Sequence, residues 1–523
     1  MKFFNTGGPC NPEYHYMLPA TQRLEAYGVE RLIRQQNYFV VHAPRQVGKT
    51  TAMLALAEQL TASDDYLSVL LSMEVGSPFS AEPSMAERII LDEWRDQIRF
   101  QLPPELVVNP HDFELFEGRR IGGFLSEWAF RSTRPLVVFL DEIDALQDEM
   151  LLSILRQLRS GYYRRPQGFP SSLALIGLRD VRDYKVASGG SERLSSPSPF
   201  NIAVRSIALR NFTADEVETL LTQHVDETEQ IVSPEAIAQI FYLSQGQPWL
   251  VNSLAKLCVE ELEIDISQPI LPTHVEKAKE ILIQRRQVHL DQLTDKLQEP
   301  RVRRVIEPIL AGSSIDDIPF DDVDYVIDLG LIERLNGHGV TIANPIYKEI
   351  IPRVLASNVQ DSLPQISSSW LNIDGALDPD ALLDAFLAFW RQHGQPLLKS
   401  APYHEIAPHL VMMVFLRRVV NGNGIIDREY AIGSGKMDLY VRYDAVQLAM
   451  ELKVWRDGRP DPLKMGLQQL DEYMDGLNYS DQPVEIGWLV IFDQRSEQPD
   501  INKRTSAEST LSPAGRRVRL VRA

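Results

Sequence analysis

The sequence predicts an α/β protein of several domains: a parallel sheet, a helical stretch after it, and a second α/β stretch toward the C-terminus. Three observations carry this. Apolar runs at 38–43, 136–140 and 173–176 alternate with amphipathic stretches such as Met150 to Arg159, the pattern of a parallel sheet covered on both faces. Residues 213–288 are helical in pattern, opened by the capping-box pair Thr213 and Glu216, with a second start at Ser233. At 523 residues the chain exceeds one core, and length alone suggests about three domains.

The hydrophobic share is 44% and the charged share 24%, ordinary values for a globular protein. No apolar run reaches the roughly 18 residues of a membrane span, so no membrane partner is expected. Met1 to Pro12 has no apolar segment of the secretory type. Cys10 and Cys258 match no disulfide or metal pattern, and a reducing cytoplasmic setting is the simplest expectation. The net charge of −19 is uneven: residues 401–523 hold 16 basic and 17 acidic groups, so the first 400 carry a net −18. Charge therefore places any contact with nucleic acid in the C-terminal part, whose end carries Lys503, Arg504, Arg516, Arg517, Arg519 and Arg522. The plainer reading of that basic end is a solvated tail.

The strand at 38–43 runs into Ala43-Pro44-Arg45-Gln46-Val47-Gly48-Lys49-Thr50-Thr51, followed by a helix over 50–61. A glycine-containing loop between strand and helix turns several backbone N–H groups into one cavity, where they cradle phosphates at a helix N-terminus. This predicts a P-loop for ATP, with Pro44, Gln46, Val47, Gly48, Lys49, Thr50 and Thr51 as binding residues. Lys49 would reach the β- and γ-phosphates, and the Thr50 hydroxyl would ligate Mg²⁺. Ala43 stands where such loops begin with glycine, at the cost of one methyl at the strand exit. The apolar strand 136–140 ends in Asp141 and Glu142. Asp141 would hold Mg²⁺ through water, and Glu142 would polarise the attacking water.

These motifs resemble the prokaryotic AAA-like ATPases related to the STAND and archaeal-ATPase groups. So do Asn5-Thr6-Gly7-Gly8-Pro9 with His15-Tyr16, Gly177-Leu178-Arg179-Asp180, Ser198 to Ile202, and Gly246-Gln247-Pro248-Trp249-Leu250-Val251-Asn252. The resemblance spans about residues 1–290. It implies that Arg179 is a sensor meeting the γ-phosphate, that Pro248 begins a lid helix over the nucleotide, and that His15 and Tyr16 line the base. Arg164, Arg165 and Arg205 are candidates for an arginine finger, with nothing to choose between them.

Residues 301–310 and 321–329 read as helices. Two short strands then flank Asn336-Gly337-His338-Gly339, a hairpin turn signal. Helices followed by a hairpin resemble a winged helix. Its second helix carries Asp321, Asp322, Asp324 and Asp328, which would face phosphates at electrostatic cost. The module is therefore expected to pack on the ATPase, or to meet a protein partner or a second copy, rather than to read DNA. A plain spacer is the competing reading.

In the C-terminal stretch, Asp438 lies on one expected strand and Glu451-Leu452-Lys453 on the next. Glu451 and Lys453 share a face, because side chains alternate along a strand. Two carboxylates suit Mg²⁺ or Mn²⁺, and a lysine beside them can steady charge developing on phosphorus. This resembles the PD-(D/E)XK nuclease superfamily over about 395–495, a restriction-endonuclease-like fold. The resemblance implies a further metal-site acid, Glu405 on the helix 404–420. It also implies a glutamine-bearing helix with Gln469 and Tyr473 one turn apart. No proline precedes Asp438 as in the motif's name.

The expected organisation is a P-loop core at 1–212, a helical lid at 213–290, a winged-helix-like module at 291–356, a linker at 357–372 and a nuclease-like domain at 373–523. The expected function is ATP binding and hydrolysis gating metal-dependent cleavage of nucleic acid. A defence role is implied by resemblance alone. The competing class is a signalling or scaffold ATPase whose C-terminal domain is an inactive binding module.

Overall fold

The computed structural model describes residues 2–179, 201–285, 295–311, 315, 318–335, 339–360, 370–372, 376–400, 411–413, 415–416, 424–427, 439–443, 446–477, 486–495 and 504–523. The chain forms two compact units. One comprises Met1–Arg285 with Asp324–Arg334 and Ala343–Pro345; the other comprises Arg286–Val323, Leu335–Ile342 and Ile346–Ala523.

The first unit is built on five parallel strands: β1 (Tyr38–His42), β2 (Leu67–Ser72), β3 (Leu136–Asp141), β4 (Ser172–Gly177) and β5 (Ala203–Ala208), in the spatial order β2-β3-β4-β1-β5. Alternation along the strands divides the core in two. Tyr38, Val40, Val138, Leu140, Leu173 and Leu175 join one cluster with Trp94, Phe124 and Trp128. Those three aromatics lie on helices Pro83–Gln101 and Arg120–Arg131. Phe39, Val41, Val137, Phe139, Ala174 and Ile176 join the other cluster with Met53 and Leu56. These last two lie on the helix after the loop, α1 (Lys49–Ala62). The strands β1, β3 and β4 are thus covered on both faces, as the interior of a parallel sheet requires.

The helical part opens as the capping box predicts. Thr213 N–H donates to Glu216 Oε2 at 2.9 Å, and Glu216 N–H donates to Thr213 Oγ1 at 3.2 Å, starting α2 (Ala214–Thr228). Ser233 caps α3 (Pro234–Ser244), and Gln247 caps α4 (Pro248–Leu257).

The helix pair expected at 301–310 and 321–329 appears as Pro300–Ala311 and Phe320–Asp328, and strands follow at Ile332–Arg334 and Val340–Ile342. Asn336 to His338 lie outside the described residues. The helix Pro345–Gln360 runs past the expected linker start at 357, and Trp370, assigned to that linker, is buried with its ring 6.1 Å from Phe415.

The second unit holds a six-stranded mixed sheet. Its strands are β6 (Gly424–Asp427), β7 (Leu439–Tyr443), β8 (Val446–Trp455), β9 (Ile486–Asp493), β10 (Ser506–Leu511) and β11 (Arg517–Arg522), ordered β10-β11-β9-β8-β7-β6. β6, β7 and β8 form an antiparallel meander. Helix α5 (Leu463–Leu477) then crosses to β9, which runs parallel to β8.

The basic end is a strand, not a solvated tail. Val518 and Leu520 are buried beside β9. Arg519 Nη2 donates to Asp380 at 2.5 Å, Arg522 Nη2 to Asp461 at 2.7 Å, and Arg516 pairs with Asp471 and Asp475. Among the described residues, no helix is long and apolar enough to cross a membrane.

Candidate functional site

The loop between β1 and α1 lies at the C-terminal end of the parallel sheet, beside the ends of β4 and β3. In open α/β sheets this crevice is where ligands bind. Register aligns the three ends: His42 pairs with Gly177 of β4, and Leu140 of β3 pairs with Leu175 of β4. Positive φ falls on Gln46 (59°) and Gly48 (85°) rather than on Ala43. The alanine at the loop's start therefore needs no left-handed backbone. Ala43 is buried, and its N–H donates to Gly177 O at 3.3 Å.

Lys49 Nζ donates to the carbonyls of Ala43 (2.7 Å) and Pro44 (2.9 Å), which holds the ammonium inside the loop. Burial draws Lys49 below the ordinary lysine range, and Asp141, Asp144 and Glu142 counter this. Thr50 Oγ1 donates to Asp141 Oδ2 at 2.7 Å. A hydroxyl beside a carboxylate is an oxygen donor set that suits a hard cation such as Mg²⁺. Burial raises Asp141 above the usual carboxylate range, against the Thr50 hydrogen bond.

Glu142 occupies the left-handed region (φ 54°), an uncommon conformation for a side-chain-bearing residue. Burial, then Glu74, Asp141 and Asp144, hold its carboxyl above the ordinary value, while Arg45 opposes them. The residues present thus fit a nucleoside triphosphate with Mg²⁺: a loop between strand and helix, a half-buried lysine ammonium, a hydroxyl–carboxylate pair and a half-buried carboxyl.

Other expected residues fall as follows. Arg179 follows β4, and its guanidinium lies 4.2 Å from the Tyr325 ring centroid. Tyr325 belongs to the acidic helix, in the segment Asp324–Arg334 that joins the nucleotide unit. In the same segment, Asp328 lies 3.6 Å from His42, and a Cβ on Gly330 would meet Pro44 Cγ at 2.5 Å.

A cavity beside the loop is lined by Tyr16, Arg23, Gly48, Thr51, Pro248 and Asn252, among others. Tyr16 and Pro248 therefore face it. His15 is held elsewhere: its Nδ1 accepts from Asn11 N–H at 2.8 Å and its ring lies edge-on to Phe3.

Of the three arginine-finger candidates, Arg165 and Arg205 donate to this unit's own carbonyls, Tyr162 O and Tyr27 O, each at 2.7 Å. Arg164 lies over the Phe169 ring.

Arg23 carries no motif and was not legible. It is buried, its Nη1 donates to Arg210 O at 3.0 Å, and its guanidinium lies 4.9 Å from the Phe212 ring centroid. A Cβ on Gly48 would meet Arg23 Nη2 at 2.9 Å, so the guanidinium packs directly on the loop glycine. Burial draws Arg23 down to about 10.

In the second unit, Glu451 and Lys453 lie on β8 and share its face with Ala449. Ala449 packs with Leu470 and Met474 of α5, so that helix covers this face. Glu451 is fully buried, and Lys453 Nζ donates to its Oε1. Gln469, also on α5, has a buried Oε1 with no partner among the described residues.

The described register of β7 on β8 ends with Leu439 opposite Met450. Asp438, Glu405 and the side chain of Tyr473 lie outside the described residues. Among the described residues, no group of three or more His, Cys, Asp or Glu side chains is arranged to hold a metal.

The sheet order, the phosphate loop and the Thr50–Asp141 pair define a P-loop ATPase. Residues 16–351 match the profile of the family described as AAA-like domain, and the chain belongs to that family. Solved structures with a similar outline include a Walker-type ATPase of Pyrococcus abyssi (13% identity, TM-score 0.46, covering 66% of this chain and 99% of that one). Cdc6p from Pyrobaculum aerophilum is similar at 14% identity and TM-score 0.35, over 66% of this chain and 97% of its own. The RuvB Holliday junction branch migration motor of Thermotoga maritima is similar at 15% and 0.34, over 64% and 95%. No curated protein matches the chain.

Proposed function

We propose that this AAA-like ATPase hydrolyses ATP at the loop 43–51 and uses its nucleotide state to gate a metal-dependent nuclease site in the second unit. Support for the first part comes from the 2.7 Å contact of Thr50 Oγ1 with Asp141 Oδ2, which joins the loop to the acidic end of β3. Bound Mg²⁺ would neutralise charge on the transferred phosphoryl group. Lys49 exchanges its carbonyl partners for phosphate oxygens, Glu142 holds and deprotonates the attacking water, and Arg179 senses the γ-phosphate.

The nuclease part is supported by Glu451 and Lys453 sharing one face of β8, under a helix that carries Gln469, in a strand–helix–strand unit. Glu451 and Asp438 would hold the metal, with Glu405 as a further acid. Lys453 would steady charge on phosphorus.

The complete burial of Glu451 favours a second reading, a domain that binds a partner and no longer cuts. Full-length protein incubated with single- and double-stranded DNA and RNA, with Mg²⁺ or Mn²⁺, with and without ATP, separates the two. ATP-dependent cleavage lost in Glu451→Ala supports the nuclease. ATP turnover with no cleavage under any condition supports the binding module.

A further inference from the structure

We infer that Asn252 selects adenine by accepting a hydrogen bond from the base's exocyclic amino group. The inference rests on the loop 43–51 binding a nucleoside triphosphate. The cavity that Asn252 lines also touches Gly48 and Thr51, so it begins where the phosphate cradle ends and is placed for the nucleoside.

The amide's orientation is fixed by its partner. Asn252 Nδ2 donates to Pro248 O at 2.8 Å, within α4. Reversing the amide would set oxygen against oxygen, so the free end is the carbonyl. Asn252 is only 7% exposed, and its Oδ1 is buried with no donor among the described residues. A buried acceptor left unpaired is costly, and a ligand that brings a donor relieves the cost.

Two charged side chains that face the cavity are poor readers of an amino group. Glu216 accepts from Arg210 at 2.6 and 2.8 Å and from Thr213 N–H. The Arg23 guanidinium has donors only and cannot read an amino group. Met17, on the cavity wall, has its backbone N–H and C=O both taken by the Gln223 amide, at 3.2 and 3.0 Å. Adenine presents an amino group at its six position, whereas hypoxanthine presents a carbonyl there that would face Oδ1 lone pair to lone pair.

The test needs no substitution to begin. Calorimetry on the full-length protein compares ATP with purine riboside triphosphate, which lacks only the amino group, and with inosine triphosphate. ATP is expected to bind about 10- to 100-fold tighter than either. In Asn252→Leu, with folding verified by circular dichroism, that preference should shrink to within about threefold. Equal binding of all three nucleotides by the natural protein would overturn the role of Asn252 and leave the phosphate loop intact. Binding of none of them would remove the phosphate-loop reading and this one with it.

Discussion

Lys49 and Glu142 divide binding from turnover at the phosphate loop under the proposed assignment. Lys49→Ala removes the half-buried ammonium beside the β/γ position, and ATP affinity is expected to fall about 100-fold or more by calorimetry, with the fold kept. Wild-type affinity in that variant would sink the loop assignment. Glu142→Gln should bind ATP normally and hydrolyse it about 10²- to 10⁴-fold more slowly, since the amide is a very poor base. The sign of the pH dependence follows from the displaced carboxyl. Burial and neighbouring acids raise Glu142, and only its ionised form is a base. Turnover should therefore rise with pH through a value above the ordinary glutamate range of about 4.3. A rate already at its plateau at that pH, in otherwise stable protein, would place the base elsewhere. At this scale the motif residues were legible, because loop and strand-end chemistry is local in sequence. Arg23 was not, because its partners Arg210, Phe212 and Gly48 come together only in the folded chain. Asn252 lies in the motif 246–252, yet the cavity it lines forms only when Tyr16, Gly48 and Thr51 are brought beside it.

Among the elements, the acidic helix Phe320–Asp328 gives its aspartates different surroundings. Charge alone treats its aspartates as equivalent, and the structure does not. Asp322 is buried and accepts from Arg301 Nε at 2.6 Å and Arg304 Nη1 at 3.0 Å, which ties this helix to Pro300–Ala311. Asp322→Asn should lower stability by about 1–3 kcal/mol, read from the urea midpoint; the discount reflects the exposure of Arg304. Asp321→Asn with Asp324→Asn should leave stability near wild type and should not weaken DNA binding. A clear loss of DNA affinity in folded double variant would mean that this helix does meet DNA. The strand Arg517–Arg522 shows why another element was misread. Arg-Val-Arg-Leu-Val-Arg has enough arginine to pass for a solvated tail, yet its alternating apolar residues are a strand signal. β5 escaped for the opposite reason: as an edge strand it is largely exposed and carries no apolar run.

For the whole molecule, the parallel sheet with its helical cover was legible because alternation of apolar runs and helices is a long-range pattern. The division into units was less so, since Asp324–Arg334 leaves its sequence neighbours and joins the nucleotide unit through contacts such as Arg179 with Tyr325. The proposed coupling of the units predicts a specific phenotype in the full chain. Glu451→Ala and Lys453→Ala should each abolish nucleic-acid cleavage while ATP turnover persists, and Lys49→Ala should remove the ATP dependence of cleavage. Mn²⁺ titration of the full chain should then separate the two residues. Loss of Glu451 weakens the site in the second unit, whereas loss of Lys453 leaves it equal or slightly tighter, because a neighbouring positive charge is gone. Cleavage that survives both substitutions would end the nuclease reading.

The desolvation of the Lys49 ammonium makes nucleotide loading a proton-linked equilibrium. Taken out of water, and despite its two carbonyl acceptors, the lysine gives up its proton at a lower pH than an ordinary one of about 10.4. Phosphate oxygens arriving beside it pull that value back up. At alkaline pH, ATP binding should therefore draw a proton from the buffer, and affinity should fall as pH rises through the free protein's lysine value. Titrations in two buffers of different ionisation enthalpy would register the uptake as a difference in apparent binding heat, and identical heats would mean that Lys49 stays charged throughout.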